Sequence, residues 1–147
     1  MAYVKPFELH DLAPIAKNLR EDDKREIEAA IGIAPEAALL MSITSADYCN
    51  VIMTDKPVGI FGLEGKATLG QPWMLATDGI KDCQIQFLKE CRNFIDEMLT
   101  YYPILSNFVD ERNTLHQKWL SWCGFIPFKR IEGYGIAQIP FIEYVRI

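Results

Sequence analysis

Residues Asn107–Phe125, NFVDERNTLHQKWLSWCGF, decide how this chain folds. The stretch completes an apolar run from Ile104 to Val109 that reads as a buried strand. Asn113 is the expected helix N-cap, because its side-chain oxygen can accept from the free amides of a first turn. Leu115, Trp119, Leu120 and Cys123 then recur at helical spacing. Gly124 supplies the left-handed residue that stops a helix, and Phe125 opens a new extended run. The pattern is strand, loop, short capped helix, strand.

Working backwards, Pro103 ends the longest helix, Asp82 to Tyr102. Its apolar residues, Cys83, Phe87, Leu88, Cys91, Ile95, Met98, Leu99 and Tyr102, form one stripe. Before it lies the apolar strand Trp73–Thr77, broken by Asp78-Gly79. Strand, helix and strand make a β-α-β unit, so the two strands should be parallel with a right-handed crossover. Tyr48–Thr54, the turn Asp55-Lys56 and Pro57–Leu63 read as a hairpin, followed by a polar, glycine-bounded loop from Gly65 to Gly70.

The first third holds one strand, Tyr3–Leu9, placed at an edge by Pro6, and two or three short helices. Asp11 should cap the first, with Leu12, Ile15, Ala16 and Leu19 on one side. The charge run Arg20–Arg25 reads as a solvated first turn with acidic residues at the positive end of the helix dipole. It leads into Ile27, Ala30 and Ile31, closed by Gly32, and Pro35 suits a first helical position before Ala38, Leu39, Met41 and Ser42. After Gly124, Phe125–Ile131, a turn at Glu132–Gly135 and Ile139–Ile147 form a closing antiparallel pair. The order is β-α-α-β-β-β-α-β-α-β-β.

At 147 residues the chain is expected to be one domain with a real core. A net charge of −5 argues against a nucleic-acid partner, which needs a basic face. Four cysteines without a C-x-x-C pair and only two histidines argue against a zinc site. Cys49, Cys83, Cys91 and Cys123 read as small core residues in a reducing compartment. Lys5, Glu8 and Asp11 interrupt any signal-peptide run, and no stretch approaches the ~18 apolar residues of a membrane span, so a cytoplasmic location is expected.

Candidate chemistry is sparse. His116 and Cys123 share a helix face but sit ~10 Å apart along the axis, too far for a dyad. His116 therefore reads as a partly exposed polar residue, with Asp110 or Glu111 as its available partners. The turn Thr77–Asp82 could offer an anion its backbone amides, helped by Lys81 and opposed by two aspartates, or be a plain capped turn. Asp110, Glu111 and Arg112 lie where ligands bind in open α/β sheets, at the C-terminal end of a parallel strand; either carboxylate could take a proton from an amine, or the three could be a solvated loop of charges. Tyr134, between two glycines, is an acid candidate or simply a turn aromatic. Trp119, Phe7, Phe61 and Phe108 read as core, and Trp122 as partly exposed.

This order of elements resembles the GNAT superfamily of N-acetyltransferases over nearly the whole chain. Members often carry an asparagine at a helix start and a glycine-phenylalanine pair eleven residues on, as Asn113 and Gly124-Phe125 do. The resemblance implies an α/β fold with a mixed, mostly antiparallel sheet and helices on both faces, in a single domain spanning 1–147. It implies that Trp73–Thr77 and Ile104–Val109 splay apart to admit acetyl-CoA. The amides of Leu75, Ala76 and Thr77 would then orient the thioester and pantetheine, those of Gly79, Ile80, Lys81 and Asp82 would face the pyrophosphate, and Asn113 would lie near the cofactor. Two features depart from the pattern. No R/Q-x-x-G-x-G/A run occurs between Ala76 and Leu88, and Leu120 stands where a tyrosine acid is often found.

A narrower resemblance is to small tailed-phage proteins of acetyltransferase-like fold, related to an internal virion protein of short-tailed phages. It rests on LREDDKREIEAAIG at Leu19–Gly32, KPVGIFGL at Lys56–Leu63, PWMLATDGI at Pro72–Ile80, YPILSNFVDERNTLHQKWLSWCGF at Tyr101–Phe125 and YGIAQIPF at Tyr134–Phe141. It implies a phage or prophage protein of the host cytoplasm, packaged in the virion, acting as a binding or assembly module. Other virion proteins or a second copy would be its partners. The alternative is an active acetyl-CoA-dependent N-acetyltransferase with a small amine or protein acceptor.

Overall fold

The computed structural model describes residues 2–147. Among them seven strands form one sheet: β1 (Tyr3–Pro6), β2 (Tyr48–Met53), β3 (Pro57–Lys66), β4 (Leu69–Ala76), β5 (Ile104–Asp110), β6 (Ile126–Tyr134) and β7 (Ile139–Arg146). They lie in the order β1-β2-β3-β4-β5-β7-β6. The pair β4–β5 is parallel, and every other neighbouring pair is antiparallel. Five α-helices accompany them: α1 (Leu12–Lys17), α2 (Glu21–Ala30), α3 (Pro35–Ser45), α4 (Gln84–Tyr101) and α5 (Thr114–Trp122). The α/β class and mixed sheet are as expected, with three α-helices in the first third.

Successive strand residues point to opposite faces, and the core divides accordingly. Ile52, Phe61 and Leu63 pack with Phe87, Ile95 and Met98 of α4 and with Trp119 and Leu120 of α5. Val51 and Ile60 pack on the other face with Leu12 and Ile15 of α1, Ile27 of α2 and Leu39 of α3. Helices therefore cover both sides of the sheet.

Several element boundaries differ from the sequence expectation. The stretch Gly65–Gly70 is mostly strand: β3 runs to Lys66, β4 begins at Leu69, and Gly65 pairs with Gly70. The two glycines make room for the Tyr102 ring, since a Cβ on Gly70 would lie 2.7 Å from it and one on Gly65 would overlap it outright. The long helix begins as a 3-10 turn at Asp78–Cys83 and becomes α-helical from Gln84. Asp11 does not cap α1; its carboxylate accepts from the Glu8 amide at 2.9 Å and from Lys5 at 2.6 Å, so it holds the preceding 3-10 turn instead.

The β6–β7 turn has a second job. Ile136 and Ala137 donate their amides to Ala30 and Ala29 oxygens at 3.1 and 3.0 Å, giving the last carbonyls of α2 partners that the helix itself cannot supply. Gly135 makes this approach at φ +67°, and a Cβ there would meet the Ala29 oxygen at 2.5 Å. Gly135→Ala is therefore expected to destabilise the fold by more than about 2 kcal/mol, from left-handed strain plus a backbone contact that cannot yield. Gly133→Ala, facing only the flexible Gln138 amide, should change stability by less than about 1 kcal/mol. Denaturant unfolding of the two variants checks the contrast.

Candidate functional site

The strands β4 and β5 pair only at Leu69–Ile104 and Gly70–Leu105 and then diverge. The opening between them leads into a cavity on each face of the sheet. The one under α4 and α5 is about 70 Å³, lined by Phe87, Cys91, Ile95, Trp119 and Leu120 among others. The one toward α2 and α3 is about 230 Å³ and includes Glu26, Ser42, Gln71, Leu75, Phe108 and Tyr134. Trp73, Met74, Asn107 and His116 line both cavities, so the divergence forms a slot through the sheet.

Diverging strands leave inward-facing backbone groups without a ladder partner, and buried groups of that kind must be satisfied. Asn107 donates its side-chain amide to the Pro72 oxygen across the slot. Further along, Arg20 donates its backbone amide to the Ala76 oxygen at 2.8 Å, and Leu19 bridges Thr77. The Ala76 amide donates to Asp23 Oδ2 at 3.0 Å. The start of α2 thus takes the place of a neighbouring strand.

The charge run corrects its sequence reading here: Arg20 and Asp23 are only 5% and 4% exposed. Asp23 Oδ1 accepts from the Arg20 guanidinium at 3.3 Å and from Asn113 Nδ2 at 3.2 Å. The same Asn113 amide donates to Glu26 Oε2 at 2.7 Å, while Asn113 Oδ1 accepts the His116 amide at 3.4 Å as the α5 cap. His116 Nδ1 lies 3.4 Å from Glu26 Oε2. Its partner is therefore Glu26 rather than Asp110 or Glu111. Burial pushes the imidazole pKa down, but Glu26 and then Asp23 outweigh it, so His116 sits above its ordinary 6.5. Burial pushes the Asp23 carboxyl up, against the pull of Arg20.

The other sequence candidates occupy different surroundings. Asp110 accepts from Arg112 three ways, from its amide at 2.9 Å, Nε at 3.0 Å and Nη2 at 2.7 Å. Burial would raise its pKa, yet Arg112 holds it below the usual range. Glu111 accepts from Arg130 Nε at 2.6 Å and is likewise held low. Both carboxylates lie outside the slot lining. Tyr134 does reach the larger cavity, stacked on Phe108 at 5.3 Å and tilted on Phe141 at 4.4 Å. Burial raises its phenol pKa, reinforced by Glu26 and Glu143.

Leu75 lines the larger cavity. Thr77 donates its amide to the Val58 oxygen at 2.9 Å, and its hydroxyl accepts from Gly79 at 3.2 Å as the cap of the 3-10 turn. The Ile80 amide donates to the Thr77 oxygen at 3.1 Å and its side chain is fully buried, whereas Lys81 and Asp82 are exposed. Among the described residues no cluster of His, Cys, Asp or Glu has the makings of a metal site.

Arg20, Asp23 and Glu26 were not singled out as site residues from the sequence. Their three-residue spacing, with Asp23 four before Ile27, places them along the apolar stripe of α2, and that coincidence is the signal that could have found them.

Asn113→Ala removes a helix cap and the hydrogen bonds to the buried Asp23 and the half-buried Glu26, and should cost about 2–4 kcal/mol in denaturant unfolding. Because His116 is raised in the folded state, its stabilising contribution is complete below pH 6.5 and fades as pH climbs through the raised value. Glu26→Gln removes its main support and should lower the His116 pKa, read directly by NMR titration of the imidazole.

No protein-family model and no curated protein matches the sequence. Solved structures do match in fold. A GNAT-family acetyltransferase from Bacillus anthracis superposes with TM-score 0.73 at 8% identity, covering 99% of this chain and 94% of that one. An aminoglycoside acetyltransferase in complex with coenzyme A gives 0.68 at 14% identity, covering 99% and 94%. The NatC complex bound to Gag peptide and CoA gives 0.70 at 14%, covering 98% and 96%. The chain has the GNAT acetyltransferase fold, with its own α2 seated against the strand edge where the two central strands part.

Proposed function

We propose that this chain uses the acetyltransferase fold as a binding and assembly module of a phage virion and not as an acetyl-CoA-dependent enzyme. One observation carries the reading: both the amide and the carbonyl of Ala76 are already bonded to α2, through Asp23 and Arg20. A pantetheine arm laid along β4 would have to displace a buried ion pair to reach them. The surrounding features agree. The Gly79 and Ile80 amides are given to Thr77, and a Cβ on Gly79 would lie 2.7 Å from Val58, so the turn is packed against its own sheet. The cavity under α4 and α5 is about 70 Å³, and with the cavity of about 230 Å³ on the other face the slot only reaches the ~300 Å³ at which small-molecule pockets begin. Leu120 offers the smaller cavity a hydrocarbon where a proton donor would be needed. These residues do not fit the coenzyme.

For the assembly role, β6 is an outer strand that leaves Ile126 63% and Phe128 68% exposed, a surface suited to a protein partner. The virion setting rests on the resemblance of the stretches Leu19–Gly32 and Tyr101–Phe125 to tailed-phage proteins.

A second reading, the active N-acetyltransferase, is favoured by His116, which lines both cavities and is paired with Glu26. In that reading the imidazole, rather than Asp110 or Glu111, would take the proton from an amine entering past Tyr134.

Titration with acetyl-CoA separates the two. A site with a Kd of about 10 μM would stabilise the fold by about 2.7 kcal/mol at about 1 mM ligand. The expected result is no thermal shift and no calorimetric heat. A shift accompanied by acetyl transfer to a small amine would establish the enzyme reading. Mass spectrometry of purified particles from the encoding phage tests the virion setting, where the chain should be found at a fixed copy number.

A further inference from the structure

The sulfurs of Cys91 and Cys123 lie 3.2 Å apart, 32 residues removed in sequence, with both residues buried at 5% and 7% exposure. That is closer than two unbonded sulfurs ordinarily rest. Cys91 sits midway along α4, and Cys123 is the residue that ends α5.

Other contacts hold this junction in place. Arg92 Nε donates to the Trp122 oxygen at 2.9 Å, and its guanidinium lies over the Trp122 ring at 3.9 Å. Trp122 Nε1 donates to the Leu88 oxygen at 2.7 Å, and Arg146 donates to the Cys123 oxygen at 2.8 Å. With the backbones fixed on both sides, a bond of about 2.0 Å requires the sulfurs to approach by only roughly 1 Å, within reach of small side-chain rotations.

We propose that Cys91 and Cys123 are a redox-sensitive pair that closes to a disulfide under hydroperoxide and pins the end of α5 to α4. Both thiols line the small cavity under these helices, which suits hydrogen peroxide and excludes bulky disulfide reagents. The Cys91 sulfur attacks one peroxide oxygen as a thiolate, the O–O bond breaks, and the proton lost from the Cys91 thiol goes to the departing oxygen, so Cys91 becomes a sulfenic acid as the first water leaves. Cys123 then attacks the Cys91 sulfur, the S–O bond breaks, and the departing hydroxide takes the Cys123 proton as the second water. Two thiols are oxidised and one peroxide is reduced to two waters. The order follows from the pair's polarity: hydrogen bonding from Cys123 lowers the Cys91 pKa, and the same contact raises that of Cys123.

The test treats the native chain with one equivalent of hydrogen peroxide, followed by alkylation and non-reducing peptide mapping. The expected product has lost two hydrogens, joins the Cys91 and Cys123 peptides, and leaves Cys49 and Cys83 open to alkylation. Its Tm rises, and dithiothreitol reverses the rise. Cys123→Ala, which removes both the resolving thiol and the contact that favours the Cys91 thiolate, should give no joined peptides and no rise in Tm under the same treatment. A chain whose Cys91 and Cys123 stay alkylatable, gain oxygen without joining, or join to other cysteines or other molecules overturns the proposal. The wild-type map decides the matter alone if the variant fails to fold.

Discussion

Two parallel strands that pair for only two residues leave the rest of their facing backbone to be satisfied by something else. In this chain the substitute partners are the Asn107 side chain on β5 and the start of α2. Asp23 is the tie that matters most. It accepts from the Ala76 amide, from Arg20 and from Asn113, and so joins β4, α2 and α5 at one carboxylate. Removing it would leave Arg20 buried without its main counter-charge, the situation in which a buried pair is costly to break.

The same tie sets the electrostatics of the slot. Two acids, Asp23 and Glu26, face one permanent cation, Arg20, and one titratable ring, His116. Glu26 and then Asp23 favour the charged imidazole, which is why the His116 pKa is held above the ordinary range despite burial. Asn113 serves both ends of the arrangement. Its oxygen caps α5 while its amide bridges the two acids, so helix termination and charge burial depend on one side chain.

Much of the fold was legible from periodicity and punctuation. The stripe on α4, the Asn113 cap and the stop at Gly124, which adopts φ +87°, read directly from residue types whose local preference agrees with their tertiary role. Where the reading went astray, a distant partner had overridden the local signal. Gly65 and Gly70 look like loop residues, yet they sit opposite one another in a ladder because Tyr102 needs their space. Arg20–Arg25 looks like a solvated face, yet two of its members are buried because Ala76 and Asn113, some 53 and 90 residues from Asp23, need a carboxylate. His116 found Glu26, 90 residues away, for the same reason. Local spacing carries no trace of such distances.

The turn between β6 and β7 seals the C-terminal carbonyls of α2, while Ala76 and Asn113 hold its N-terminal half. A helix at Glu21–Ala30 thus has its supports at Ala76, Asn113 and Ile136–Ala137, roughly 50 to 110 residues further along the chain. It cannot be fully docked until synthesis has passed Ala137. Helix α2 should therefore be among the last elements to settle during synthesis, with long-range closure slowing the final step. A nascent chain stalled before Gly135 would present the apolar stripe of α2 and the bare edge of β4 together, a combination that invites capture by chaperones or by another copy's exposed strand.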